Sequence, residues 1–290
     1  MPDNASTDET PRICEEYAYR DPRIKVNRSE RFLEQADNVN RAVSLCSGEW
    51  VKLFCHDDLM APACMARIQE FAAKCPPQVG LIGNGTQWLF MNGYRYPETN
   101  DFAESQIWPG PQLIRNQLKG KRTPPLPCLT TAAVRRSAWE SSSKFDSRFL
   151  HFDVYLWTRL LVEFDYAFIP ESLTVYRIHG EQVAVSARKS MRSIADQRSF
   201  WPEFVRDCGD SLRLDRWERL MAKLRPLGTA GSAVAIEVLC GNPKGAVTTF
   251  AKTPLAWWPA LPAFILRSYR SEKRKVASLL GRVPVREIYP

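Results

Sequence analysis

The chain has 290 residues, with 40 Lys+Arg against 32 Asp+Glu for a net charge of +8, and is 44% hydrophobic, 25% charged and 11% aromatic. That is the make-up of one large folded domain or two small ones, and it excludes disordered, collagen-like and low-complexity classes. Eight cysteines without a CxxC pair predict buried free thiols in a reducing compartment, while the acidic start and the absence of a ~20-residue apolar run predict a cytoplasmic chain with no signal peptide or membrane span.

In chain order, the first predicted helix covers Asp8 to Tyr19, with Ser6 or Thr7 able to cap it and Pro11 in a tolerant early turn. Arg23 to Asn27 alternates as a strand, Leu33 to Cys46 reads as a helix stopped by Gly48, and Trp50 to Phe54 as a strand. That strand runs into Cys55-His56-Asp57-Asp58-Leu59, and a helix follows from near Ala61-Pro62 to Lys74. Val79 to Ile82 and Gln87 to Met91 are further short strands. The alternation of strand and helix predicts an α/β fold with a mainly parallel sheet, in which ligands bind off the carboxyl ends of strands.

Residues 92–127 read as an irregular excursion with one helix around Pro111 to Leu118. Pattern resumes at Cys128 to Val134, in a helix from Phe152 to Glu163, and in strands at 167–169 and 173–178. Helical segments are predicted at 188–207, 212–224, 229–240, 244–252 and 255–269. A boundary near residue 186 divides an α/β domain, 1–186, from a helical region, 187–290.

Adjacent carboxylates at a strand end raise each other's proton affinity unless something positive neutralises them, and a divalent metal or a ring of basic groups does that. A solvated acidic loop is the plain alternative for Asp57-Asp58. All three histidines lie beside candidate segments: His56 before the double aspartate, His151 before Asp153, and His179 at the end of Tyr176-Arg177-Ile178. Asp153 opens a helix, whose positive end favours an ionised carboxylate competent as a general base. The tail from Leu261 carries seven Lys/Arg against two Glu behind Trp257-Trp258. It suits either an anionic membrane surface or ordinary packing with a solvated basic face, and no nucleic-acid motif accompanies the charge.

Over roughly residues 2–186 these segments resemble the family 2 glycosyltransferases of GT-A fold. Asp3-Asn4-Ala5-Ser6-Thr7-Asp8 is similar to the family's turn whose first aspartate holds the donor base. Asn38-Val39-Asn40-Arg41-Ala42 followed by Ser47-Gly48-Glu49-Trp50-Val51 resembles the helix and strand leading to the metal site, and His56-Asp57-Asp58-Leu59 resembles the metal motif itself. The resemblance implies Asp3, Asn40, Arg41, Asp57 and Arg177 as donor-binding residues, Asp58 and His179 as ligands of Mn²⁺ or Mg²⁺, and Asp153 as the catalytic base. Phe152 stands where the family often has Glu, which leaves Asp153 as the single carboxylate there. The chain opens on the first turn, so the family's opening strand-helix-strand is expected to be missing.

The expected activity is inverting, metal-dependent transfer of a sugar from a nucleotide-diphosphate donor to a saccharide or lipid-linked hydroxyl acceptor. A peripheral membrane contact through 255–286 would accompany it, and no nucleic-acid partner is expected. The competing expectation is a non-catalytic module of the same shape that binds a membrane or partner.

Overall fold

A computed structural model describes residues 1–97, 102–179, 192–254, 257, 259–279 and 282–283. In chain order the elements are β1 (Pro2–Asp3), α1 (Thr10–Arg20), β2 (Asn27–Arg28), α2 (Gln35–Ser44), β3 (Trp50–Lys52), β4 (Leu59–Met60), α3 (Cys64–Ala72), β5 (Val79–Leu89), β6 (Arg95–Pro97), β7 (Gln106–Trp108) and α4 (Gly110–Leu118). A single 3-10 turn, Leu129–Thr131, then leads into β8 (Ala132–Arg135), α5 (Arg136–Ser141), α6 (Phe152–Leu160) and β9 (Asp165–Arg177). The chain continues as α7 (Arg192–Cys208), α8 (Arg216–Leu239), α9 (Pro243–Ala251) and α10 (Leu261–Leu279).

The α/β class stands, but the sheet is mixed where a mainly parallel one is predicted. Its order is β3-β8-β5-β9-β4; β5 and β9 run parallel, while β3–β8, β8–β5, β9–β4, β5–β6 and β7–β9 are antiparallel. Alternation of elements fixes their order along the chain and not their sense: β8, arriving from the long 92–127 excursion, inserts backwards between β3 and β5. That excursion also holds β6, β7 and α4, so it is less irregular than its composition suggests.

Strand pleating sends Leu81, Val134, Tyr166 and Phe168 into one core with α4, α5, α6 and α7. The alternate residues Ile82, Ala133, Ala167 and Ile169 enter a second core under Cys64 and Ile68 of α3. Two pairs of predicted strands fuse, into β5 and β9. A register shift accommodates Pro170-Glu171, and a side chain on Gly85 would meet the Pro170 carbonyl at 2.4 Å. Arg23 to Val26 are not strand; only Asn27–Arg28 pair, in parallel with Pro2–Asp3. Ser6 and Thr7 do not cap α1, which starts after Glu9 with Asp8 accepting from the Thr10 N–H at 3.0 Å.

Helices predicted at 212–224 and 229–240 are one, Arg216–Leu239, despite Pro226, Gly228 and Gly231. Packing overrides the breakers: a side chain at Gly231 would come within 2.8 Å of the Phe264 backbone, so the small residue permits a close crossing with α10. The boundary near 186 lies outside the described residues. The α7 helix is fastened to the α/β part by Phe200, stacked on Tyr155 at 4.1 Å and 9°.

Of the tail 255–286, positions 255, 256, 258, 280, 281 and 284–286 lie outside the described residues. Leu261 packs with Leu227 and Ala230, and Leu279 and Val283 with Phe90 and Ile178. No described helix is long and apolar enough to cross a membrane. The eight cysteines are free, but only Cys14 and Cys64 are buried, since most lie near element ends where side chains keep a solvent-facing edge.

Candidate active site

Val51 and Leu53 anchor β3 in the core, and beyond them the chain leaves the sheet in a tight turn in which the Asp58 N–H donates to the Cys55 carbonyl at 3.3 Å. The turn is closed by the pairing of β4 with β9, which carries the end of β9 alongside it. There the Arg177 N–H donates to Asp58 Oδ1 at 3.0 Å, the Arg177 guanidinium donates to the Asp57 carbonyl, and His179 Nε2 lies 3.1 Å from Asp57 Oδ2. Four predicted site residues, Asp57, Asp58, Arg177 and His179, thus touch one another.

Asp58 is buried, and its second oxygen accepts from the Thr130 hydroxyl. Burial pushes its carboxyl above the usual range against the opposing pull of the Thr130 and Arg177 bonds. The Cys55 sulfur and one oxygen each of Asp57 and Asp58 lie within 4.8 Å of one another. Burial pushes the Cys55 thiol up to about 12, so it sits there protonated.

A second cation lies close by at a position outside the predicted site. Lys52, inside β3, donates to the carbonyls of Leu53 at 3.0 Å and Ala132 at 3.4 Å and to that of Thr130. Burial lowers its ammonium to about 8, with Asp58 among the groups that resist the shift. A lysine between two apolar strand residues was the available signal. Thr130 gave none, because a threonine in a proline-rich approach has no periodic pattern.

Asp153 lies in the first turn of α6, half-buried, and accepts from the Val154 N–H at 2.8 Å. Burial raises its carboxyl above the ordinary range, against that bond and the neighbouring His151.

The Asp3 group forms a separate unit. Asp3 is buried, its Oδ1 accepts from the Ser6 N–H at 3.3 Å, and its Oδ2 pairs with Arg28 Nε at 3.3 Å without a well-aligned hydrogen bond. Arg41 donates to the Asp3 carbonyl at 2.9 Å and to Asn38 Oδ1 at 3.1 Å, and also binds Asn27, which ties α2 to β1 and β2. Asn40 is engaged elsewhere: its amide donates to the Phe145 carbonyl at 2.9 Å and accepts from the Phe145 N–H at 3.0 Å.

Against known families, residues 2–141 match the one described as Glycosyl transferase family 2. This part of the chain is a family 2 glycosyltransferase domain. The match contains Asp3, Asn40, Arg41, Asp57 and Asp58 and ends before Asp153, Arg177 and His179. No curated protein matches the chain by sequence.

Among solved structures, the mannosyltransferase PcManGT of Pyrobaculum calidifontis, in complex with GDP-Man and Mn²⁺, aligns with 94% of this chain and 76% of its own at 18% identity and a TM-score of 0.51. Residues 1–349 of S. aureus TarS align with 96% of this chain and 80% of their own at 15% identity and a TM-score of 0.55. The TarS complex with UDP-GlcNAc gives the same coverage and identity with a TM-score of 0.54. At these identities the likeness shows a shared, GT-A-like fold.

Proposed function

We propose that the chain moves a sugar, of hexose type, from a nucleotide-diphosphate donor to a hydroxyl of a saccharide or lipid-linked acceptor in one inverting displacement. The observation that carries this reading is the joining of Asp57 and Asp58 to Arg177 and His179 at the end of β9. The donor class is supported by the family match and by structural neighbours that bind GDP-Man with Mn²⁺ and UDP-GlcNAc.

The donor set fits a divalent cation such as Mn²⁺ or Mg²⁺. It offers the hard carboxylate oxygens of Asp57 and Asp58, with the His179 imidazole beside Asp57. Asp58 and His179 would hold such a cation, which would supply positive charge to offset that of the departing diphosphate.

The remaining work belongs to side chains. Asp57, fixed by His179 and by the Arg177 contact to its carbonyl, presents its carboxylate towards the donor's ribose. Asp3 offers a buried, unsaturated Oδ2 to the donor's base, with Arg41 fixing its backbone and Asn40 bracing α2 from behind. Asp153 takes the proton of the acceptor hydroxyl as its oxygen bonds to the anomeric carbon, and the pair of the breaking C–O bond leaves with the diphosphate. Its raised proton affinity makes Asp153 a stronger base than an exposed aspartate.

Calorimetric titration with UDP, GDP and dTDP, with and without Mn²⁺, tests the donor half. One nucleotide should bind with metal dependence, and Asp58→Ala should cut that affinity by about 100-fold. Equal binding by the variant, or binding indifferent to metal, would overturn the assignment.

A further inference from the structure

A cavity of about 260 Å³ is lined by residues of β5, β9 and the approach to β8. Its floor is the parallel β5–β9 pair, through Asn84, Trp88, Phe168 and Tyr176, and one wall is the Pro125–Cys128 segment leading into the Leu129–Thr131 turn. Two lining residues connect it to the chemistry: Thr131 follows Thr130 and Tyr176 precedes Arg177, the two residues that donate to Asp58. The wall is pinned by the Tyr166 hydroxyl, which donates to the Pro125 carbonyl at 2.8 Å.

Asn84 is 5% exposed, and its amide nitrogen donates to the Gly85 carbonyl at 2.7 Å and to Thr174 Oγ1 at 3.1 Å. Its Oδ1 is buried with no hydrogen-bond partner among the described residues. Buried acceptors are nearly always satisfied, so an open one on a cavity wall marks a place for a ligand's donor. The rest of the described lining is aromatic, aliphatic, proline, glycine, hydroxyl or the Cys128 thiol, with no charged side chain.

A pyranose ring has complementary chemistry, with an apolar C–H face for aromatic walls and a rim of hydroxyls for a few polar atoms. The volume sits just under the ~300–1,000 Å³ of pockets for larger small molecules, which suits one ring. Among the described lining residues, a phosphate or carboxylate buried there would meet no cationic side chain.

The geometry points to this cavity as the seat of one neutral pyranose ring of the acceptor, with Asn84 Oδ1 accepting from a ring hydroxyl. The word acceptor rests on the transfer reading above; the affinity for a neutral ring does not.

The test uses saturation-transfer NMR on the full chain with Mn²⁺ and whichever nucleoside diphosphate binds. The probes are the methyl glycosides of glucose, galactose, mannose and N-acetylglucosamine, with methyl glucuronide and glucose 6-phosphate as charged controls. At least one neutral glycoside should bind alongside the nucleotide, through the C–H protons of one ring face. Asn84→Leu and the cavity-filling Leu126→Trp should each weaken it about tenfold with nucleotide affinity unchanged. If Asn84→Leu does not fold, Leu126→Trp, at a half-buried position, decides alone. Absence of neutral glycoside binding, equal binding of the charged controls, competition between glycoside and a nucleotide sugar, or unchanged binding in Leu126→Trp would overturn the assignment. Glycoside binding lost in the variants of a protein that binds no nucleotide would uphold the sugar seat and sink the transfer reading instead.

Discussion

Asp58 and Glu218 are both buried carboxylates, at 5% and 0% exposure, and their surroundings differ in one respect. Glu218, in the first turn of α8, pairs with Arg115 at 2.8 Å and Lys119 at 3.0 Å and completes a capping box with Asp215. Burial pushes its carboxyl up, but those partners outweigh it and hold it below the usual range. Asp58 accepts its hydrogen bonds from a hydroxyl and a backbone N–H, while Lys52 nearby donates to carbonyls and the Arg177 guanidinium to Asp57's. There burial wins. An acid that braces two helices carries its counterions with it, whereas an acid at a working site is left short of positive charge that a substrate or cation can bring.

The sharpest way to test that contrast is at the second raised carboxyl. Asp153→Asn should lower sugar transfer by about 10²–10⁴-fold while nucleotide affinity holds. Since the base must be ionised and burial raises Asp153, transfer in the parent should climb with pH through a limb above the ordinary ~3.9 of an aspartate. That limb should vanish in the variant; transfer within tenfold of the parent would place the base elsewhere.

Thr130→Val probes how Asp58 is kept usable. Losing a bond that favours the ionised form raises Asp58 further, so the acid limb of Mn²⁺ affinity should move to higher pH, with affinity at pH 7 down about tenfold by calorimetry. An unmoved limb would mean the hydroxyl does not tune the site. The smallest expected effect on the site comes from Glu218→Gln. It should cost about 1–3 kcal/mol of stability, since Arg115 and Lys119 can turn to water, and lower Tm by a few degrees. Nucleotide affinity should not change, and a parallel loss of it would merge the two acids into one unit and end the contrast.

The Asp57-Asp58 pair and Asp153 were legible because each sits at the end of a patterned element, where chain order alone positions the side chain. The sense of β8 was not, because antiparallel insertion is decided by pairing partners far away in sequence. Pro226 and Gly231 misled for the opposite reason: the local preference is real, but the crossing with the Phe264 backbone outweighs it. The family resemblance implied Asn40 and Arg41 as donor-binding residues, yet their hydrogen bonds run to Phe145, Asn27 and Asp3, a use that only contacts reveal. Thr130 was illegible because what matters is its neighbour in space.

The stitching of Asp58 to Thr130 and Arg177 has a kinetic side. The three come from the ends of β3, the approach to β8 and the close of β9, so the group does not exist until the sheet has drawn together segments far apart along the chain. Closing such long loops is slow, and a partly assembled chain would hold neither the carboxylate pair nor its donors. Affinity for the cation and nucleotide should therefore appear in the last cooperative step of refolding, and a ligand that recognises only the finished site would act as a latch on the whole sheet.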